Sequence, residues 1–334
     1  RSTLFPYTTL FRSGSCLSML QSIIDIGSNT VRLAIYRIDA GRVELLLKKK
    51  QTVGLAAYVK GGNMQPEGIA RAASAIQDFG TFLQGLNLPL TAAFATAALR
   101  NAANRSEAVT AIEARTGIAI RVLSGAEEAE LGFIGATHDL AAPSGLLADI
   151  GGGSTELVRY ENRAITKKLS LPIGSLQLAA RHVHGLFPTP EEAAQIERDA
   201  TQALRALDDP VCAVGETSPK PPFGGPFPAL CGIGGTFKGA KNLYCALYGS
   251  PKTPSAFPAA TLSEMIPRFS PEKSLSENDL ALFLKTEPDR LHTLIPGLIL
   301  AHALSKRLGA NTILYSDAGV REGFIYRELL KTVR

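Results

Sequence analysis

Two short stretches of this sequence place a carboxylate, hydroxyls and a glycine turn side by side: DIGSNTVRLAIY from Asp25 to Tyr36, and DIGGGSTELVRY from Asp149 to Tyr160. Backbone N–H groups in such a turn can converge on an anion, and Ser or Thr hydroxyls add donors. Phosphate is the ordinary occupant. Gly27, Ser28, Asn29 and Thr30 are the candidate ligands in the first stretch, and Gly151, Gly152, Gly153, Ser154 and Thr155 in the second. An aspartate just ahead of a turn would repel bare phosphate. Asp25 and Asp149 make sense with a divalent cation between them and the phosphate oxygens, since Mg2+ commonly takes one or two carboxylates plus phosphate and water. Each turn alone reads equally well as a tight hairpin whose aspartate caps backbone amides. Superposed without a gap, however, the two share Asp, Ile, Gly, Leu and Tyr, with Thr30 opposite Ser154. Three consecutive glycines also imply a backbone that must come very close to something.

A third glycine turn, Gly234, Gly235 and Thr236, precedes a helix whose N-terminus favours anions, with Lys238 nearby. Gly235 and Thr236 join the candidate phosphate ligands. No Ser-His-Asp or Cys-His set is apparent, so hydrolysis at these turns needs water as the attacker and a carboxylate to orient and deprotonate it. SGAEEAEL, from Ser124 to Leu131, offers Glu127, Glu128 and Glu130. Glu127 follows Ser124 by three residues, the capping-box signature of a helix start. Each of the three also reads as a solvated helix residue. Phosphoryl transfer wants positive charge on the non-bridging oxygens. Arg32 lies two residues into a strand after the first turn and can point to either face. His182 and His184 lack a nearby third ligand and read as a helix surface. Lys48 to Lys50 read as the solvated end of a strand.

The elements that must carry these groups alternate strand and helix. SIIDIG, TVRLAIYRI and RVELLLKKKQTV form three strands, followed by a helix from Pro66, a small strand in LTAAFAT, a helix through about Arg115 and the strand IAIRVL. A capped helix then leads into a second set of three strands, SGLLADI, STELVRY and AITKKLSL. A long helix covers about Thr189 to Leu207. The proline-rich stretch from Asp209 to Leu230 reads as a surface connection. Strand-turn-helix units close the chain at ALCGIGGTFKGAKNLYCALY and NTILYSDAGVREGFIYRELL. The pattern is that of a duplicated α/β unit with a cleft between the copies. The 334 residues, 45% apolar and 19% charged, suit two globular domains. A net charge of +5 allows an anionic ligand, and no Lys/Arg block is long enough for a nucleic-acid arm. No run of eighteen apolar residues occurs, and the four cysteines show no C-x-x-C spacing, so no membrane partner and a cytoplasmic location are expected. Residues 1–20 lack acidic residues and periodicity and are expected to be foreign to the fold or disordered.

IIDIGSNTVRLAIY, FATAALRNAAN, VLSGAEEAEL, LADIGGGSTELV, CGIGGTFKGA and LYSDAGVREGFIY together resemble, in order, the motifs of the exopolyphosphatase/guanosine pentaphosphate phosphohydrolase family. That family belongs to the actin and sugar kinase superfamily. The resemblance implies an α/β fold of two ribonuclease-H-like, actin-like ATPase domains flanking an active-site cleft, in the short two-domain form. Residues 21–123 would form the first domain and 124–320 the second, with the helix of 321–334 returning to the first. It implies Glu128 as general base, Arg100 in the cleft, and Glu156 beside the second turn, holding metal or positioning water. Mg2+ would be held by Asp25, Asp149 and Glu156. The implied activity is removal of terminal phosphate from polyphosphate, or alternatively from guanosine pentaphosphate; a guanosine tetraphosphate-sensing protein is the reading of another class. A homodimer is allowed for. Two departures bear on substrate preference: Thr52 and Ala57 stand where longer relatives often carry an arginine and an acidic residue, and Gly234 where a serine is often found.

Overall fold

The computed structural model describes residues 18–137, 142–208, 223, 226–250 and 255–331. Its first sheet comprises β1 (Met19–Ile26), β2 (Thr30–Asp39), β3 (Arg42–Thr52), then, after a small β4–β5 ribbon (Val59–Lys60 and Asn63–Met64) and helix α1 (Pro66–Gly85), β6 (Ala92–Ala95) and β7 (Arg121–Val122). Helices α2 (Ala97–Arg100) and α3 (Arg105–Thr116) lie between β6 and β7. Strand order is β3-β2-β1-β6-β7, with the first three antiparallel and the last three parallel. Helix α4 (Gly125–Ala136) leads to the second sheet, made of β8 (Gly145–Ile150), β9 (Thr155–Glu161), β10 (Ala164–Leu171), β11 (Ala229–Ile233), β12 (Ala256–Pro258) and β13 (Thr312–Tyr315). Its order, β10-β9-β8-β11-β13, repeats that of the first, with β12 added antiparallel at the edge. Helices α5 (Ser175–His182), α6 (Pro190–Ala203), α7 (Gly234–Tyr248), α8 (Thr261–Arg268), α9 (Glu277–Thr286), α10 (Leu294–Leu308) and α11 (Val320–Phe324) complete the chain. The expected duplication is therefore present in topology.

Strand alternation explains how each sheet carries helices on both faces. Ile24, Ile26, Leu33 and Ile35 pack with Ile76 and Phe79 of α1 and Ile112 of α3. Their neighbours Ile23, Ala34 and Tyr36 point the other way, onto Leu131 of α4 and onto Phe324 and Ile325. On β8, Leu146, Ala148 and Ile150 join Phe237 of α7 and Leu298 of α10, whereas Leu147 meets Ala129 and Phe133 of α4. Helix α4 thus touches both sheets. It is locked to α11 by close contact, since a Cβ on Gly323 would come within 1.8 Å of the Leu131 carbonyl oxygen.

Several elements differ from the sequence reading. The helix expected to run to Arg115 is broken at residues 101–104, where Asn104 accepts from the Met64 N–H and donates back to its carbonyl. IAIRVL yields only the two-residue β7. The helix expected to Leu207 gives way at Leu204 to a 3-10 turn. Helices α5, α8, α9 and α10, the β4–β5 ribbon and strand β12 have no counterpart in that reading. β1 starts at Met19, so Met19 and Leu20, paired with Ile38 and Arg37, belong to the fold rather than to the foreign segment. Most of that segment, and most of the proline-rich stretch, lie outside the described residues. Among the described residues, no helix is long and apolar enough to cross a membrane.

Candidate active site

The two turns are closed identically: Gly27 N–H donates to the Thr30 carbonyl at 3.0 Å, and Gly151 N–H to the Ser154 carbonyl at 2.9 Å. Register then sets Asp25 opposite Arg32 and Asp149 opposite Glu156. What the three glycines approach is the other turn. A Cβ on Gly153 would lie 2.6 Å from Ser28 Oγ, and one on Gly152 3.3 Å from Ser28 Cβ. The Gly151 carbonyl accepts from Ser175 N–H at 2.9 Å and the Gly152 carbonyl from Leu176 N–H at 3.0 Å, which turns both carbonyls toward the start of α5. Among the described residues no acceptor meets the N–H groups of Ser28, Asn29, Gly152 and Gly153.

A cavity of about 460 Å³ opens where the turns meet, lined by both of them together with Asp25, Asp149, Glu128, Gly234 and Gly235. Asp25 lies 3.5 Å from Arg32, which settles the face that Arg32 takes. Burial pushes the Asp149 carboxyl up to about 6, with Arg32 opposing the shift and Asp25 adding to it. Gly234 has φ +77°, and a Cβ there would lie 2.2 Å from Asp149 Oδ1. In this chain Gly234 takes a positive φ that disfavours a side chain, and a Cβ there would have to displace the Asp149 carboxylate.

Local capping separates the three glutamates of α4. Glu127 N–H donates to Ser124 Oγ at 3.2 Å, Glu127 Oε2 accepts from Ser124 N–H at 2.8 Å, and Arg121 adds a bond at 2.8 Å. These contacts pull the Glu127 carboxyl down to about 2, the Ser124 backbone bond first and the Arg121 bond next. Glu130 pairs with Lys168 at 2.7 Å. Glu128, one residue on from the cap, lines the cavity, is buried and forms an ion pair with Arg100. Burial, reinforced by Glu156 and opposed by Arg100, holds its carboxyl well above the usual carboxylate range.

Behind this wall the structure corrects four expectations. Arg100 does not line the cavity: Nη1 serves Glu128 and Nη2 donates to Glu156 at 3.4 Å and Ser154 Oγ at 3.3 Å, so it bridges carboxylates rather than facing a ligand. Glu156 is 1% exposed, accepts from Ser170 Oγ at 2.7 Å, and stands behind the wall as well. Burial, with Asp149 adding repulsion, pushes its carboxyl up to about 7. Among the described residues no three His, Cys, Asp or Glu side chains gather into a cluster, and Glu156, unlike Asp25 and Asp149, is not on the cavity lining. Thr155 Oγ1 donates to the Ile173 carbonyl at 2.7 Å and Thr236 Oγ1 to the Ile150 carbonyl at 2.8 Å; both hydroxyls are buried and turned from the cavity.

Other residues enter the site unannounced. Alternation along β3 brings Lys48 and Lys50 to the cavity while Lys49 lies 3.8 Å over the Phe82 ring, a period-two signal present in the sequence. Lys48 is exposed as a residue, but partial burial of its ammonium among Arg321, Arg32 and Lys238 pushes it down to about 8. Arg290, beside Glu287 at 3.3 Å, covers Gly235. Arg321 also lines the cavity; it lies inside a motif but was not distinguished there. Lys238 reaches the rim and pairs with Asp317 at 2.9 Å. His182, the last residue of α5, pairs with Asp199 at 2.8 Å, and His184, in the bend beyond that helix, with Glu192 at 2.7 Å; the helix-surface expectation fails for His184.

Two sheets of the same order, each giving one aspartate-glycine turn to a shared cleft, define the two-domain actin-like class. Within it, residues 34–332 match the Ppx/GppA phosphatase family, and the chain belongs to that family. An uncharacterized protein of Streptomyces coelicolor is 29% identical over 320 residues, covering 93% of this chain and 90% of that protein. Among solved structures, the chain is similar to the Ppx/GppA family member of Aquifex aeolicus (TM-score 0.73, 23% identity, 95% of this chain and 100% of that one). It is also similar to an exopolyphosphatase from Cytophaga hutchinsonii (TM-score 0.75, 24% identity, 95% and 99% covered).

Proposed function

We propose that this phosphatase is an exopolyphosphatase, releasing the terminal phosphate of inorganic polyphosphate by attack of a water that Glu128 deprotonates. The observation that carries the reading is a buried carboxylate, raised above its usual range, on the wall of a cavity whose facing turns present unpartnered N–H donors. Those N–H groups hold the oxygens of the terminal phosphoryl group. Water adds to phosphorus, its proton passes to Glu128, and the bridging P–O bond to the rest of the chain breaks. Arg100 keeps Glu128 oriented and stays off the substrate. The Asp25–Asp149 pair fits Mg2+: two hard oxygen donors on adjoining turns, one of them raised by burial and by the other's charge. Bound there, the ion would neutralise charge on the phosphate oxygens. Lys48, Lys50 and Arg32 on the same cavity suit an inorganic polyanion. In this reading the first sheet, with α11 packed on it, is one lobe and the second sheet the other.

Phosphate release from long-chain polyphosphate and from guanosine pentaphosphate, side by side and with and without Mg2+, tests the proposal. Mg2+-dependent release from polyphosphate at the higher kcat/KM is expected. Release from guanosine pentaphosphate alone overturns the substrate; binding of guanosine tetraphosphate with no release from either overturns the activity.

A further inference from the structure

The three arginines on the cavity wall are not equivalent. Arg32 lies 3.5 Å from Asp25, and Arg290 lies 3.3 Å from Glu287. Arg321 has no carboxylate within ion-pair distance among the described residues, and its shielded Nη1 has no hydrogen-bond partner. Yet Arg321 is only 9% exposed. Burial opposes its charge, but Tyr36, Glu322, Asp25 and Asp149 favour it on balance, so the guanidinium stands charged with N–H groups left to donate.

The surroundings hold that guanidinium in place. Glu322, the next residue, accepts from Tyr36 Oη at 2.5 Å and from Gly319 N–H at 2.8 Å, tying the start of α11 to β2. Close contact of Gly323 with Leu131 and of Gly135 with Gly319 leaves α11 no room to slide along α4. Arg321 therefore stays on the cavity wall. Arg100, meanwhile, is committed to Glu128 and Glu156. The positive charge that a transferring phosphoryl group needs must come from elsewhere.

We propose that Arg321 supplies it, donating its free N–H groups to non-bridging oxygens of the terminal phosphoryl group. The planar guanidinium presents paired donors that match phosphate oxygens. This rests on the phosphate reading of the cleft, and it assigns to Arg321 the substrate contact that the sequence suggested for Arg100.

The test is calorimetric binding of inorganic tripolyphosphate to the full chain, with Arg321→Met and Arg321→Lys, alongside thermal melts. Affinity should fall at least tenfold in Arg321→Met while the chain stays folded, its melting temperature unchanged or modestly lower because a counter-charge to nearby carboxylates has gone. Arg321→Lys should recover part of the affinity, and it decides the matter if the Met variant does not fold. In polyphosphate hydrolysis, Arg321→Ala should lose kcat and regain part of it with millimolar guanidinium, a rescue that a merely structural role would not show. Unchanged tripolyphosphate affinity in a folded variant overturns the proposal, and a fall in melting temperature with intact affinity reduces Arg321 to a counter-charge for Asp25 and Asp149. If wild type binds tripolyphosphate but releases no phosphate, the hydrolase reading fails while the binding comparison still decides Arg321. If wild type binds none, both fail.

Discussion

Replacing Glu128 with Gln isolates one proton transfer. The amide keeps the size of the carboxylate, and its oxygen can still accept from Arg100, so the bridge to Glu156 and Ser154 survives. What is lost is the ability to take a proton from water. General-base contributions run to ~10²–10⁴-fold, about 3–5 kcal/mol of barrier at 1.36 kcal/mol per tenfold. Burial and Glu156 hold this carboxyl above the usual carboxylate range, and a loss within that ~10²–10⁴-fold range is expected. Substrate affinity should hold or improve, because a negative charge facing a polyanion has gone. The pH profile gives a second reading. Glu128 must be ionised to act, so wild-type kcat/KM should rise with pH along a limb displaced above the ordinary carboxylate range, and Glu128→Gln should abolish that limb. Stopped or continuous phosphate-release assays across pH 5–9 (roughly the range of such titrations) give both quantities. Glu127→Gln and Glu130→Gln are the controls. The first loosens a cap worth on the order of 1 kcal/mol, and the second breaks a surface pair with Lys168. Near-normal turnover in a folded Glu128→Gln, or an inactive Glu127→Gln beside it, would refute the assignment.

Three further outcomes are expected. Glu156, with its carboxyl raised to about 7, binds a proton more tightly in the fold than in the unfolded chain, so its share of stability is complete below the unfolded value and is lost as pH rises toward 7. Glu156→Gln should therefore stabilise the chain at pH 8 by about 3 kcal/mol or less, and little near pH 4.5; equal melting shifts at both pH values would contradict this. Asp149→Asn should move the activity-versus-Mg2+ curve to higher concentration, and an unchanged curve would mean that Asp149 only supports its turn. Gly234→Ala drives a Cβ onto Asp149 Oδ1 at a positive φ, so phosphate release should be largely lost at an overpacking cost of roughly 1–3 kcal/mol in denaturant melts; full activity in the variant would show that the Asp149 carboxylate has freedom to move.

The sequence alone determined whatever depends on neighbours a few residues away. Alternating apolar residues marked the two three-stranded meanders, Ser124 and Glu127 marked the start of α4, and the matched Asp-Ile-Gly stretches marked the duplication. Asp25, Asp149 and the turn glycines were legible for the same reason, because a turn and the carboxylate before it are local features. Even the choice of Glu128 has a local component, since the capping box consumes Glu127 and leaves the next residue on another face of the helix. Thr155 and Thr236 looked like phosphate ligands by type, but each had a backbone carbonyl waiting in the core, Ile173 and Ile150, which the sequence does not reveal. Only the tertiary structure decided which side of a wall each charge occupies. Arg100 meets Glu156 across 56 residues of chain, and Tyr36 fixes Glu322, and with it Arg321, across 286. Periodicity says that a side chain has two faces to choose from; the desolvation cost of a buried charge, and the partner available to offset it, choose between them only once distant elements have packed.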